Sequence, residues 1–202
     1  MERKARLKKK SNTKAEIISK ACQIIKREGV ENFTVQQLIA KLEIGVGTFY
    51  YYFSSKEMLL FETLVFLDEQ FVEMFKVKYH DISSNAEKLK LFLHEQAMVA
   101  SNITAQHLDN YRRVLKKNIL TYYFNAKISP KYQMLIDIME DGQAQNEFTR
   151  AFPAKALAEL VWTTMAGAAD FSRISELYDI ATHTDQMGEI LAELVKKNSG
   201  QI

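Results

Sequence analysis

The sequence predicts an all-α chain, a three-helix head at the amino terminus followed by a six-helix body. Three observations predict it. Apolar residues recur at intervals of three and four along almost the whole length, the spacing that lines one face of a helix. Only 2 prolines occur in 202 residues, so little interrupts such helices. Helix-start signals, a serine or threonine followed three residues on by glutamate, recur at Thr13, Ser54 and Ser84.

In chain order, Arg3, Lys4, Arg6, Lys8, Lys9 and Lys10 come first and read as a disordered basic arm. A helix then starts at the Thr13–Glu16 capping box and stops at Gly29, a C-cap. Its apolar face is Ile17, Ile18, Ala21, Cys22, Ile24 and Ile25, which makes Cys22 a packed side chain rather than a reactive thiol. A second helix spans about Val35 to Leu42, capped by Thr34, with Leu38, Ile39 and Leu42 as its stripe. Glu43 and Ile44 turn the chain, Gly45 relieves the backbone, and a third helix runs from about Val46 to Tyr52.

The fourth helix starts at the Ser54–Glu57 box and reaches about Lys78. Apolar residues wrap most of its circumference, which suits a connector buried on several sides. The Ser84–Glu87 box starts a fifth helix, to about Ile103, whose stripe includes Leu89, Phe92, Leu93, Gln96 and Val99. A sixth spans His107 to Ala126. Ser129-Pro130, serine cap and proline at the first position, opens a seventh to about Asn146. Pro153 starts an eighth to about Phe171, and a ninth covers about Asp185 to Lys197. The head is therefore residues 1–53 and the body 54–202.

The formal net charge of +2 conceals an asymmetry: residues 1–56 hold 12 Lys+Arg against 5 Asp+Glu, the remainder 15 against 20. A basic quarter on an acidic body suits an end that meets a polyanion, although a tail that only aids solubility is the plainer reading of the first ten residues alone. The single cysteine excludes an internal disulfide, and no signal peptide or membrane-length apolar run appears. These point to the reducing cytoplasm, with no membrane partner. His80, His94, His107 and His183 show no metal-ligand spacing. Gly45-Val46-Gly47 lacks the strand and pattern of a phosphate loop, and no nucleophile elbow occurs. Glu140 and Asp141 are adjacent and diverge on a helix. No convergent acid, base or nucleophile emerges, so an enzyme, a cofactor and a metal are not expected.

Two short helices joined by a tight turn have the proportions of a helix-turn-helix, whose second helix enters the DNA major groove. Phe49 and Phe53, four apart, can anchor the third helix to a core. Tyr50, Tyr51 and Tyr52 then fan around its other faces. Three phenols in a row suit a surface that meets phosphates and base edges better than an interior, where each hydroxyl needs a partner.

Phe33-Thr34, Ile39-Ala40 and above all the run from Gly47 through Tyr50-Tyr51-Tyr52-Phe53-Ser54-Ser55-Lys56 to Leu59 resemble the TetR/AcrR family of transcriptional regulators. The resemblance is specific over about residues 13 to 60 and architectural beyond. It implies a DNA-binding set of Thr34, Gln36 and Gln37 near the backbone, Val46, Gly47, Thr48, Tyr50, Tyr51 and Tyr52 on the recognition helix, and Lys56 on phosphate. This chain has Leu42 and Glu43 where the family usually has a small residue and glycine, and Gly45 where it usually has serine.

The last two helices look too apolar for one core, and a two-fold dimer through them is expected. Its contacts would be Leu157, Leu160, Val161, Thr164 and Ala168 on one helix, and Met187, Ile190, Leu191 and Leu194 on the other. The resemblance also implies an effector pocket among the fourth to eighth helices. Candidates are Phe61, Phe66, Met98, Tyr111 and Tyr122, with Met134, Met139, Trp162 and Met165. For each of these, plain core is the commoner role of an aromatic or methionine at helical spacing. The function that follows is a ligand-responsive, DNA-binding transcriptional regulator. It is expected to be a repressor released from its double-stranded DNA operator by a small, largely apolar effector. A DNA-associated adaptor that docks other proteins on the same fold is the alternative.

Overall fold

The computed structural model describes residues 2–102, 129–174 and 180–196. Among them the elements are all helical: α1 (Glu2–Glu28), α2 (Val35–Leu42), α3 (Val46–Tyr52), α4 (Lys56–Lys78), α5 (Asn85–Asn102), α6 (Pro130–Ala144), α7 (Ala154–Ile174) and α8 (Ile180–Val195). Of the described residues, those up to Asp68 form one compact unit and those from Glu69 on another. No helix among them is long and apolar enough to cross a membrane. The helix expected over residues 107–126, with Tyr111 and Tyr122, lies outside the described residues.

In the first unit the basic run expected as a disordered arm is instead the start of α1. No glycine or proline interrupts Glu2 to Glu28, and Arg, Lys, Leu and Ala are strong helix formers. Thr13 therefore lies inside the helix rather than at its start. α1 buries Ile17, Ile18, Ala21, Ile24 and Ile25, and the unit also buries Val30, Phe33, Leu38, Phe49, Phe53, Leu59 and Leu60. Gly29 ends α1 at φ 85°, a left-handed position that favours glycine, with its amide bonded to the Ile25 carbonyl at 2.8 Å. Cys22 is partly buried and its thiol faces the Thr63 carbonyl at 4.0 Å. Burial pushes that thiol up to about 11, so it is not a thiolate at neutral pH.

α4 is capped one residue later than expected. Ser55, not Ser54, accepts the Met58 amide at 3.2 Å. The third helical residue is then Met58, which has no group to return the bond, so the expected Ser54–Glu57 box does not form. The first turns of α4 bury Leu59, Leu60 and Thr63, which carries the first unit past Phe53 to Asp68.

In the second unit α8 packs along α5, and α6 packs on α5 and α7. The core joins Phe71, Phe75, Phe92, Tyr132, Met139, Phe148, Val161 and Leu191 among others. Phe92 meets Phe71 and Phe75 edge-on at 5.7 and 6.0 Å, geometry that aromatic pairs prefer. Ser129 caps α6 through the Tyr132 amide at 3.3 Å, and Ser84 caps α5 through the Glu87 amide at 3.3 Å. A second cap reaches α5 from far along the chain. The Glu147 carboxylate accepts from the amides of Asn85 and Ala86 and from the Asn85 and Ser84 side chains, at 2.8 to 3.2 Å. Next to it Phe148 is fully buried, and Thr149 donates its amide to the Val195 carbonyl at 2.7 Å. Gly142 makes room: a Cβ there would stand 2.1 Å from the Phe148 ring.

Candidate nucleic-acid interface

α3 is a seven-residue helix held by two rings. Phe49 and Phe53 are both fully buried, with ring centroids 5.7 Å apart. The same helix leaves Val46 59% exposed, Tyr50 56% and Tyr51 62%, while Gly47 is open and Thr48 and Tyr52 are half-buried. Tyr51 and Tyr52 meet edge-on at 5.0 Å, and Tyr50 packs edge-on against Phe49 at 5.1 Å. The phenols therefore stand on a stiff aromatic base. Gly45 is the N-cap of α3 and supplies no side-chain bond. Nothing lies within 4 Å of a Cβ added at Gly47, so within the protein this position does not require glycine.

Thr34 caps α2 in a reciprocal box. Its hydroxyl accepts the Gln37 amide at 3.1 Å, and its own amide donates to Gln37 Oε1 at 3.0 Å. Gln37 Nε2 donates to Glu28 at 3.1 Å. Both ends of the Gln37 amide are thus committed to the protein, whereas Gln36 is exposed. The sequence carried this signal, since Thr34 and Gln37 have capping-box spacing. Glu28 itself is held below the usual carboxylate range by its hydrogen bonds from Arg27 and Lys41. It ties the end of α1 to α2.

Lys56 has a role that local sequence does not reveal. Its ammonium donates to the Phe33 carbonyl and lies 5.6 Å from the centroid of the Phe33 ring. This fixes a positive charge at the Phe33 carbonyl, one residue before the N-cap of α2.

Of the residues expected to line an effector pocket, Met134, Met139, Trp162 and Met165 share the core of the second unit. Met139 is fully buried there, and Trp162 stands 5.6 Å from the Tyr132 ring. Met98 is exposed, while Phe61 and Phe66 are partly buried on the part of α4 that belongs to the first unit. The residues expected at a dimer contact divide likewise. Leu157, Val161 and Leu191 sit in the chain's own core, Ala168 is buried, and Met187 packs on that core. Thr164 is half-buried and spends its hydroxyl on the Leu160 carbonyl at 2.7 Å. Leu160, Ile190 and Leu194 remain exposed.

Residues 17–63 match the profile of the bacterial regulatory proteins, tetR family. No curated protein matches the chain. Among solved structures, the chain is similar to a TetR-family transcriptional regulator from Pectobacterium atrosepticum, at 18% identity over 92% of this chain and 93% of that one, with a TM-score of 0.68. It is similar to the transcriptional regulator FadR from Bacillus subtilis in complex with stearoyl-CoA, at 19% identity over 88% and 97%, TM-score 0.60. It is also similar to a putative transcriptional regulator from Saccharomonospora viridis in complex with choline, at 18% identity over 93% and 100%, TM-score 0.56. At such identities these likenesses show the fold, and the profile match marks the head as a DNA-binding helix-turn-helix domain.

Proposed function

Starting from a chain whose head and fold are those of the TetR-family transcriptional regulators, we propose that it is a ligand-responsive repressor. It binds a double-stranded operator as a homodimer and is released by a small effector held in the body. The observation that carries the reading is the exposed face of α3, with Tyr50 and Tyr51 outward on buried Phe49 and Phe53. Val46, Gly47, Thr48 and Tyr52 complete the groove contact, and Thr34, Gln36 and Lys56 hold phosphates. Gln37 acts by positioning Thr34. Two of the similar structures hold a small molecule, stearoyl-CoA in one and choline in the other, which supports an effector role for the body. An effector that favours a different spacing of the paired heads lowers DNA affinity by its differential affinity and no more.

Fluorescence anisotropy with DNA from upstream of the protein's own gene, over a salt series, tests this. Tyr51→Ala is expected to cost roughly 1–3 kcal/mol on the specific site. Lys56→Met is expected to weaken all sequences alike and flatten the salt slope by about one unit. Thermal melts separate this from loss of the Phe33 tie. Salt-independent or absent binding would favour an adaptor instead.

A further inference from the structure

The second helix of a helix-turn-helix lays its first residues against base edges in the major groove, while the helix before it crosses the backbone. In this head that second helix is α3, Val46-Gly47-Thr48-Phe49-Tyr50-Tyr51-Tyr52. Side chains tell base pairs apart in the groove chiefly by charged or amide groups: arginine or lysine on guanine, asparagine or glutamine on adenine, aspartate or glutamate on cytosine. α3 contains none of these six residue types. A phenol or threonine hydroxyl both donates and accepts, so a single bond from it suits every base pair. The base feature left for α3 to distinguish is the thymine methyl, which takes an apolar contact.

An apolar group stands where that contact is made. Val46 is the first residue of α3 and is exposed. Tyr50 lies one turn on, on the same face, its ring braced edge-on against the buried Phe49 ring at 5.1 Å. Gly47, next to Val46, adds no side chain that would hold the helix off the bases. A thymine methyl set against Val46 would take apolar surface on both sides out of water. We propose that Val46, backed by the Tyr50 ring, seats against a thymine methyl, so that each half-site carries an A·T pair with its thymine at the start of α3. This rests on the head binding an operator as proposed above, and it names a base that the operator must hold.

Duplexes that bind the full-length protein are selected from a random library. Fluorescence anisotropy then compares each selected thymine with deoxyuridine, which lacks only the methyl. At one thymine in each half-site the change is expected to weaken binding about fourfold, the worth of one buried methyl-sized group. Val46→Ser is expected to bind the thymine and deoxyuridine duplexes alike while melting as the wild type does, a coupling that a merely structural valine would not give. Deoxyuridine tolerated at every thymine overturns the proposal. So does a methyl effect that survives Val46→Ser at every position, or a selected half-site without thymine. Each of these leaves the regulator reading standing, because the protein would still have selected a sequence. A protein that selects no sequence sinks the regulator reading and this one with it.

Discussion

Glu43 stands at φ 52°, the left-handed position that closes α2 and that glycine usually takes. A residue with a Cβ costs roughly 1–2 kcal/mol there. The amides of Glu43 and Ile44, both bonded to the Ile39 carbonyl, hold it in place. Glu43→Gly is therefore expected to stabilise the head by about 1 kcal/mol, seen as a higher denaturation midpoint. An unchanged midpoint would mean that the glutamate side chain makes up the strain. Gly47 poses the opposite question. Alanine fits there without contact and improves helix propensity by about 0.5–1 kcal/mol. If the backbone at Gly47 approaches DNA closely, Gly47→Ala will raise the melting temperature and lower operator affinity together. Higher stability with unchanged affinity would remove Gly47 from the interface.

Among the elements, α5 depends most on a remote residue. Burial disfavours the Glu147 carboxylate, but the α5 amides, with Asn85 and Ser84, outweigh it, and its pKa falls below the ordinary value. A depressed carboxylate stabilises the fold above its unfolded pKa of about 4.3. That contribution fades as pH drops below this value and is gone once pH has passed the lower folded one. Glu147→Gln is expected to cost about 1–3 kcal/mol at neutral pH and to flatten the acid limb of the stability curve. Urea melts at pH 7 and pH 3 decide it, since an equal loss at both would locate the effect elsewhere. What the sequence discloses follows the same division. Thr34, Ser84 and Ser129-Pro130 were legible because a cap lies within three residues of its donor. α3 was legible because Phe49 and Phe53 repeat at helical spacing. Glu147 capping Asn85, and Lys56 held by Phe33, leave no local periodicity. α1 starts ahead of Thr13 because a capping box is only a preference, and nothing in the preceding residues stops a helix.

For the whole molecule, the open question is what covers the outer face of α7 and α8. Leu160 is 48% exposed, Ile190 59% and Leu194 65%. Ile190 and Leu194 lie one turn apart, as do Leu160 and Thr164. Leu157, Val161 and Leu191 already face the interior, so any partner would meet the exposed set alone. Leu194→Lys, on the outside of α8, should leave the fold intact and shift a dimer towards monomer by tenfold or more in light scattering at micromolar concentration. Val161→Lys should instead unfold the body, since it buries an unpaired charge. A wild-type protein that is monomeric at those concentrations would remove the dimer altogether.

The three residues from Glu147 to Thr149 join α5 by a carboxylate, α6 by a ring over Gly142, and α8 by an amide. Connecting segments normally tolerate changes in length. Here one inserted residue would throw all three fastenings out of phase, so this stretch should accept substitution far more readily than lengthening.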